Sequence, residues 1–229
     1  MDPARQRIGL MGGAFNPIHL GHLRAAEAIR ERHSLDVVVF IPTALPPHKD
    51  AKPLAPLADR LAMTRLAIEG NPGFEVSDIE GRLPAPSYTV TTLEYLREKC
   101  GDKAAIFFLT GMDSFLDIGS WKDYRHLFDL VDFIVFTRPG ADASKMEDVV
   151  KGKVSSGYQW DERSGAFTAE GLKRIHVSRI FELDISSTEI RRLVAQGRSV
   201  RYLIPDPVRE YINTKGLYQR DGMKEKGNP

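Results

Sequence analysis

The chain has 229 residues, of which 42% are hydrophobic and 28% charged; this composition suits a globular protein with a sizeable core and excludes wholesale disorder. With 32 basic and 31 acidic residues the net charge is +1, so we expect no broad surface for nucleic acid or an anionic membrane. One cysteine, Cys100, cannot form an internal disulfide, and no apolar run approaches the roughly 20 residues that span a bilayer. We therefore expect a soluble, cytoplasmic protein that binds any anion locally.

Buried-type strands and amphipathic helices alternate along the first 140 residues. In chain order the pattern predicts strand 8–11, helix 20–32, strand 37–41, helix 57–69, strand 74–79, helix 89–99, strand 104–109, a helical segment 121–128 and strand 133–137. Repeated βα units predict an α/β fold of the Rossmann-like kind, with a parallel sheet and helices on both faces. Ligands of such sheets bind beyond the carboxyl ends of the strands.

Three further segments complete the predicted organisation. Residues 42–56 contain five prolines and predict a long surface loop, whereas residues 141–174 are polar and weakly periodic and predict an irregular insertion. Helices at 186–196 and 207–215, the second with Asp206 as its N-cap, predict a small C-terminal helical portion. We expect residues 1–220 to form a single domain and residues 221–229 a disordered tail.

A glycine loop followed by two histidines comes directly after the first strand. Gly12 and Gly13 allow the backbone to approach a ligand, and the amides that enter the next helix can bind an anion. His19 and His22 are three residues apart and share a face once the helix has begun. Alternatively, the glycines only form a turn and the histidines cap the helix. A zinc site is disfavoured, because it needs three or four ligands.

The second candidate motif, Ser186 to Arg191, opens a helix near the C-terminus. Ser186 and Glu189 have the spacing of a capping box, which by itself explains the pattern structurally. The hydroxyls of Ser187 and Thr188, the free amides of the first turn and Arg191 would also form a phosphate clamp.

Both motifs resemble those of one known superfamily, the nucleotidyltransferases with the HxGH motif. His19-Leu20-Gly21-His22 supplies HxGH, and Ile185 to Arg191 matches ISSTxIR at every specified position. Asn16 stands where many members have Asp. Within the superfamily the chain is similar to bacterial nicotinate mononucleotide adenylyltransferases from about residue 8 to 218. That narrower resemblance rests on Leu45-Pro46-Pro47-His48-Lys49, Ala85-Pro86-Ser87-Tyr88-Thr89, Gly111-Met112-Asp113-Ser114 and Trp121.

The resemblance implies that AMP is transferred from ATP to nicotinate mononucleotide, giving nicotinate adenine dinucleotide and pyrophosphate in NAD biosynthesis. Mg²⁺ would be held by substrate phosphates, without a dedicated protein metal site. The residues implied for catalysis are His19, His22 and Arg191. Those implied for ATP are Gly12, Gly13, Phe15, His19, His22, Gly111, Asp113, Ser186, Ser187, Thr188 and Arg191. Those implied for the mononucleotide are His48, Lys49, Thr89 and Trp121.

Several alternatives stay open at this point. Thr89 or Asp113 could simply cap a helix, and Trp121 could be a packing residue. The acceptor could be nicotinamide mononucleotide or phosphopantetheine, or the protein could be a nucleotide-binding regulator without turnover. A dinucleotide-dependent oxidoreductase is disfavoured because the glycine loop lacks Gly-x-Gly-x-x-Gly. The sequence leaves the oligomeric state open, with a homo-oligomer among the options.

Overall fold

A computed structural model describes residues 5–46, 54–137, 143–181 and 183–219, and eight strands form one sheet within them. The strands are β1 (Gln6–Gly13), β2 (Val37–Pro42), β3 (Phe74–Val76), β4 (Ala104–Gly111), β5 (Asp132–Thr137), β6 (Gln159–Asp161), β7 (Ala166–Thr168) and β8 (Ile175–Arg179). Their order across the sheet is β3-β2-β1-β4-β5-β8-β7-β6. The pairs from β3 to β8 are parallel, and β7 and β6 continue the sheet as an antiparallel hairpin.

Helices cover both faces of the sheet, as the sequence predicts. They are α1 (Leu20–Arg32), α2 (Leu57–Ile68), α3 (Thr89–Cys100), α4 (Met112–Leu116), α5 (Leu127–Leu130), α6 (Ala143–Val149), α7 (Ser187–Ala195) and α8 (Asp206–Lys215). Helices α3 to α6 bury their apolar residues in one core cluster, and α1, α2, α7 and α8 bury theirs in the other. The C-terminal helices therefore complete one face of the sheet. None of the helices in the described segments is long and apolar enough to cross a membrane.

The topology places a crevice where the site is expected. Strand β1 lies between β2 and β4, because the chain runs outward from β1 through β2 to β3 and then crosses back to place β4 on the other side of β1. Gly13 pairs with Pro42 at the carboxyl ends of β1 and β2, and Gly111 ends β4 nearby. Such a switch point is where open α/β sheets bind their ligands, because the loops leaving the two strands diverge.

The prediction that residues 141–174 are irregular is wrong for the part of this segment that the structure describes. It contains α6, a π-helical turn at Val150–Val154 and the hairpin of β6 and β7. Trp160 pairs with Phe167 across the hairpin, and their rings lie 5.0 Å apart. Strands of three residues are too short to give a periodic pattern, which is why the sequence did not reveal them.

Other element boundaries also differ from the predictions. The segment predicted as helix 121–128 consists largely of turns before α5, and the strand predicted at 74–79 ends at Val76. Strand β8 was not predicted. Asp206 lies inside α8, whose N-cap is Pro205, although Gly216 does end that helix in the left-handed conformation, with φ of 61°. The predicted tail at 221–229 lies outside the described residues.

Candidate active site

A cavity of about 220 Å³ opens beyond the carboxyl ends of β1, β2 and β4. Its walls combine the glycine loop, the segment before α3, and the chain after α4. The residues that line it are Gly12, Gly13, Ile41, Thr43, Pro46, Glu80, Ser87, Tyr88, Thr89, Thr92, Leu93, Phe108, Thr110, Ser114, Trp121 and Lys122. The cavity therefore contains four of the predicted site residues: Gly12, Gly13, Thr89 and Trp121.

The two motif histidines cap α1 reciprocally. His19 is the N-cap residue, and its Nδ1 accepts the amide N–H of His22 at 3.4 Å, while Nδ1 of His22 accepts the amide N–H of His19 at 3.3 Å. The rings stack with centroids 3.6 Å apart. A nitrogen that accepts a hydrogen bond carries no proton, so both ring protons reside on Nε2. The capping interpretation is thus correct, and it also leaves each Nε2–H as a donor.

Burial keeps both imidazoles neutral. His19 is only 6% exposed, and desolvation lowers its pKa from 6.5 to about 4. Desolvation also lowers the pKa of His22 well below its ordinary value, with a further contribution from His19, because two charges on stacked rings would repel. At neutral pH the pair therefore presents two neutral N–H donors.

Two glycines of this loop leave little room for a side chain. A Cβ on Gly21 would lie 3.0 Å from Nδ1 of His19 and 3.2 Å from the backbone oxygen of Leu183, so a side chain would disturb the capping ring. A Cβ on Gly13 would lie 3.2 Å from the ring of Phe15. Phe15 is 2% exposed, and its ring packs edge-on against the ring of His22 with 5.1 Å between the centroids, so it helps to hold the histidine in place.

The start of α7 docks directly on the loop that precedes His19. Nη1 of Arg191 donates to the carbonyl oxygen of Asn16 at 2.8 Å, and the Ser187 hydroxyl donates to that of Pro17 at 2.8 Å. Nη2 of Arg191 also donates to Thr188 Oγ1 at 3.1 Å. The two motifs, about 170 residues apart in sequence, therefore form one structure. The Ser187 proton is engaged in docking, whereas the Thr188 hydroxyl proton and further N–H groups of Arg191 stay available.

The predicted capping box at the start of α7 forms only in half. Ser186 Oγ accepts the amide N–H of Glu189 at 3.2 Å, but the Glu189 carboxylate bonds to Arg192 instead of returning to Ser186. Among the described residues, the amides of Ser187 and Thr188 have no backbone hydrogen-bond partner. This helix start can therefore receive an anion.

Asn16 joins these segments to two more. Its side-chain oxygen accepts the hydroxyl proton of Tyr218 at 2.7 Å and the amide N–H of Ala55 at 3.1 Å. The residue is 3% exposed. A neutral amide oxygen is sufficient for both bonds, so the absence of the aspartate found in many members of the superfamily leaves the network complete.

Arg60 joins both ends of the proline loop to the glycine loop. Its side chain is 1% exposed and donates to the carbonyl oxygens of Ala55 at 2.9 Å, Ala14 at 2.9 Å and Ala44 at 3.4 Å. Burial lowers its pKa, which the charge of Glu80 partly offsets. Its three hydrogen-bond partners are neutral carbonyl oxygens, so among the described residues the Glu80 carboxylate acts on the charge of Arg60 without bonding to it.

Glu80 fixes the first residues of the same loop from the other side of the cavity. Its carboxylate accepts the amide N–H of Ala44 at 3.2 Å and the hydroxyl proton of Thr92 at 3.4 Å. Leu45 and Ser87 exchange two further bonds, of 3.0 and 3.1 Å. Burial raises the pKa of Glu80, while these hydrogen bonds and the charge of Arg60 act in the opposite direction.

The remaining predicted residues lie at different places around the crevice. Trp121 packs edge-on against Phe108 at 6.0 Å and lines the cavity, and Thr89 begins α3 there. Gly111 is the N-cap of α4 and Asp113 is exposed in its first turn, so Asp113 is not an N-cap; neither lines the cavity. His48 and Lys49 lie outside the described residues.

Sequence reasoning assigned no role to Arg60, Glu80, Tyr218 or Lys122. For Arg60 a signal existed, because it lies at helical spacing from Leu57 and Thr64 on the buried face of α2, where a charged side chain needs partners. No comparable pattern marked the others. Among the described residues, no group of three or more His, Cys, Asp or Glu side chains could hold a metal ion.

The chain is similar in sequence to known nucleotidyltransferases. The family model described as cytidylyltransferase-like matches residues 10–193. The relatives from Syntrophotalea carbinolica and Geobacter sulfurreducens are both named probable nicotinate-nucleotide adenylyltransferase. The first is 44% identical over 214 residues, which are 93% of this chain and 97% of that protein. The second is 42% identical over 217 residues, which are 94% of this chain and 100% of that protein.

The fold is also found among solved structures. The nicotinic acid mononucleotide adenylyltransferase of Plasmodium falciparum, complexed with NaAD, superimposes with a TM-score of 0.71 at 19% identity. The match covers 93% of this chain and 97% of that one. At this identity the likeness establishes a shared fold.

Acid should destabilise the protein through the neutral histidines. An unfolded chain protonates His19 near pH 6.5, but the folded chain does so only near pH 4, so the unfolded state binds more protons between these values. Stability attributable to this residue should therefore be lost as the pH falls from 6.5 to 4, by up to about 3 kcal/mol. Urea unfolding between pH 7 and 5 measures it. His19→Asn keeps a capping oxygen without titrating and should flatten the dependence, whereas the exposed control His126→Asn should not; equal slopes in all three proteins would contradict the assignment.

Loss of Arg60 should destabilise the protein more than loss of a surface arginine on the same helix. Arg60→Met leaves three carbonyl oxygens without their donor, so we expect the free energy of unfolding to fall by about 2–4 kcal/mol. Arg65→Met, at an exposed position of α2, should change it by less than about 0.5 kcal/mol. Equal urea midpoints for the two variants would show that the Arg60 bonds contribute nothing net.

Proposed function

The chain belongs to the cytidylyltransferase-like family, within its nicotinate-nucleotide adenylyltransferases, and we propose that the crevice between β1 and β4 carries that activity. ATP and nicotinate mononucleotide would react there to give nicotinate adenine dinucleotide and pyrophosphate. The observation that carries the proposal is the docking of Arg191 and Ser187 on the loop before His19, which brings the Nε2–H donors of the histidine pair and the open start of α7 into one structure.

The triphosphate of ATP would be held between the starts of α1 and α7. The capping bonds orient His19 and His22 so that only their Nε2–H groups can donate to phosphate oxygens. Arg191 and the first-turn amides of α7 would receive the β- and γ-phosphates, which leave as pyrophosphate. Gly12, Gly13 and Phe15 would shape this side of the site, with Gly111 and Asp113 near the adenosine.

The reaction requires positioning and charge stabilisation more than proton transfer. The phosphate of the mononucleotide is already largely ionised at neutral pH, since its second pKa is about 6, so no general base is needed. One of its oxygens attacks the α-phosphorus of ATP, and the bond from that phosphorus to the bridging oxygen of pyrophosphate breaks. Donors fixed before the reaction stabilise the charge that moves onto pyrophosphate.

The cavity beside the glycine loop would bind the mononucleotide. Trp121 would stack on the cationic pyridine ring, and Thr89 with the first amides of α3 would contact its substituent. His48 and Lys49 would bind its phosphate from the proline loop, whose two ends Arg60 secures.

Mg²⁺ would enter with ATP. The described residues provide no carboxylate cage, which suits a cation that keeps water and phosphate oxygens as its ligands. It would neutralise part of the phosphate charge on binding. We further propose a cytoplasmic location and no nucleic-acid or membrane partner, consistent with the balanced charge of the chain, and a homo-oligomer stays among the options.

Product analysis tests the activity directly. The purified chain is incubated with ATP and Mg²⁺ and, in parallel, with nicotinate mononucleotide, nicotinamide mononucleotide or phosphopantetheine, and the products are identified by mass spectrometry. We expect nicotinate adenine dinucleotide and pyrophosphate as the fastest products. Faster turnover of another acceptor would reassign the substrate, and no pyrophosphate with any acceptor would favour a nucleotide-binding regulator.

Neighbouring arginines on α7 provide a matched pair of variants. Arg191 bonds to the carbonyl oxygen of Asn16 in the loop before His19, whereas Arg192 is exposed and paired with Glu189 at 2.5 Å. Arg191→Ala should lower kcat by about 100-fold or more, because a donor to the leaving group is lost, whereas Arg192→Ala should leave kcat within about twofold. Steady-state pyrophosphate release measures both. Similar kcat values for the two variants would remove Arg191 from the reaction.

A further inference from the structure

The proposed mononucleotide cavity carries two charged side chains, and they differ in availability. Glu80 is 9% exposed and its carboxylate is engaged by Ala44 and Thr92. Lys122 is exposed at the mouth, directly after Trp121. Among the described residues Lys122 has no carboxylate partner; its Nζ instead lies 4.6 Å from the centroid of the Tyr88 ring. The cavity thus has a buried anion in its wall and, at its rim, a cation that no carboxylate of the described residues pairs with.

The mononucleotide can lie in the cavity in one direction only, and that direction places its pyridine ring beside Lys122. Its phosphate has to reach ATP, so that end lies toward Gly12 and Gly13, which adjoin the His19 loop. The pyridine ring then lies at the far end, near Trp121 and Lys122. A ring carboxylate turned toward Glu80 would meet a buried negative charge, whereas one turned toward the rim meets the ammonium of Lys122.

We infer that Lys122 is a specificity-determining residue, whose ammonium binds the ring carboxylate and makes the site select the acid over the corresponding amide. The inference rests on the proposed function. On binding, the ammonium exchanges the face of Tyr88 for a charged oxygen, a stronger partner than an aromatic ring at an exposed site. The flexible four-carbon stem of lysine allows this movement.

The first-turn amides of α3 cannot supply this selectivity alone. Tyr88, the N-cap residue, provides no side-chain cap, so these amides can donate to a ligand oxygen. However, nicotinate and nicotinamide both present an oxygen acceptor, to which a single amide N–H can donate in either case. A full positive charge favours a carboxylate over a neutral amide, and among the described residues Lys122 is the sole cation that lines the cavity.

The test compares the acid and the amide substrate in variants that remove or keep the charge at position 122, with a control that removes a lysine elsewhere. Lys122→Gln removes the charge, Lys122→Arg keeps it, and Lys99→Gln removes a lysine that also lies over a tyrosine, with Nζ 5.5 Å from the Tyr95 ring centroid, but does not line the cavity. For each protein kcat/KM is measured with nicotinate mononucleotide and with nicotinamide mononucleotide at saturating ATP and Mg²⁺.

We expect Lys122→Gln to lower kcat/KM for the acid by about tenfold or more and to leave that for the amide within about twofold. Lys122→Arg should retain most of the acid preference, and Lys99→Gln should match the wild type. An unchanged ratio of acid to amide in Lys122→Gln would overturn the inference, as would an equal loss with both substrates. If the wild-type protein forms no dinucleotide from either substrate, the proposed function itself fails.

Discussion

Asn16 is the residue on which the arrangement of the site depends. Its carbonyl oxygen accepts from Arg191, and its side-chain oxygen accepts from Tyr218 and Ala55. These partners are 175, 202 and 39 residues away in sequence, and Asn16 itself is only 3% exposed. Because buried polar groups are costly to leave unpaired, the glycine loop, the proline loop, α7 and the chain after α8 can meet only in this register.

The histidines show how the same local structure serves both folding and ligand binding. A capping box usually pairs a hydroxyl residue with a glutamate, but here two imidazoles satisfy the first amides of α1. The bonds consume Nδ1 of each ring and fix the proton on Nε2. Burial then keeps the rings neutral, so the stacked pair at 3.6 Å avoids charge repulsion in the absence of a ligand. An arriving polyanion meets donors that are already oriented.

The sequence predicted those features that arise from continuous runs of residues. Strands β1, β2, β4 and β5 are buried apolar runs, and α1 was bounded correctly because its periodicity is clear between Leu20 and Arg32. The hairpin at Trp160 and Phe167 escaped prediction because its strands have three residues each and its ring contact joins two strands, so neither leaves a periodic signature. The role of Asn16 escaped for a related reason: its hydrogen bonds join residues that are distant in sequence and leave no trace in local spacing, whereas Arg60 was marked by its place on the buried face of α2 but its partners were not.

The chain has a net charge of only +1, yet its substrates carry several negative charges. The contacts of its arginines explain how it could bind them. Arg30, Arg192 and Arg209 pair with carboxylates on helix surfaces, so their charges are largely neutralised. Arg60 and Arg191 are held instead by carbonyl and hydroxyl oxygens, which fix the guanidinium without cancelling its charge. Two guanidinium groups that no carboxylate of the described residues bonds to therefore lie where α7 and the ends of the proline loop meet the glycine loop. Since this arrangement depends on the partners of two side chains, overall composition could not reveal it, and a nearly neutral protein can still attract phosphate locally.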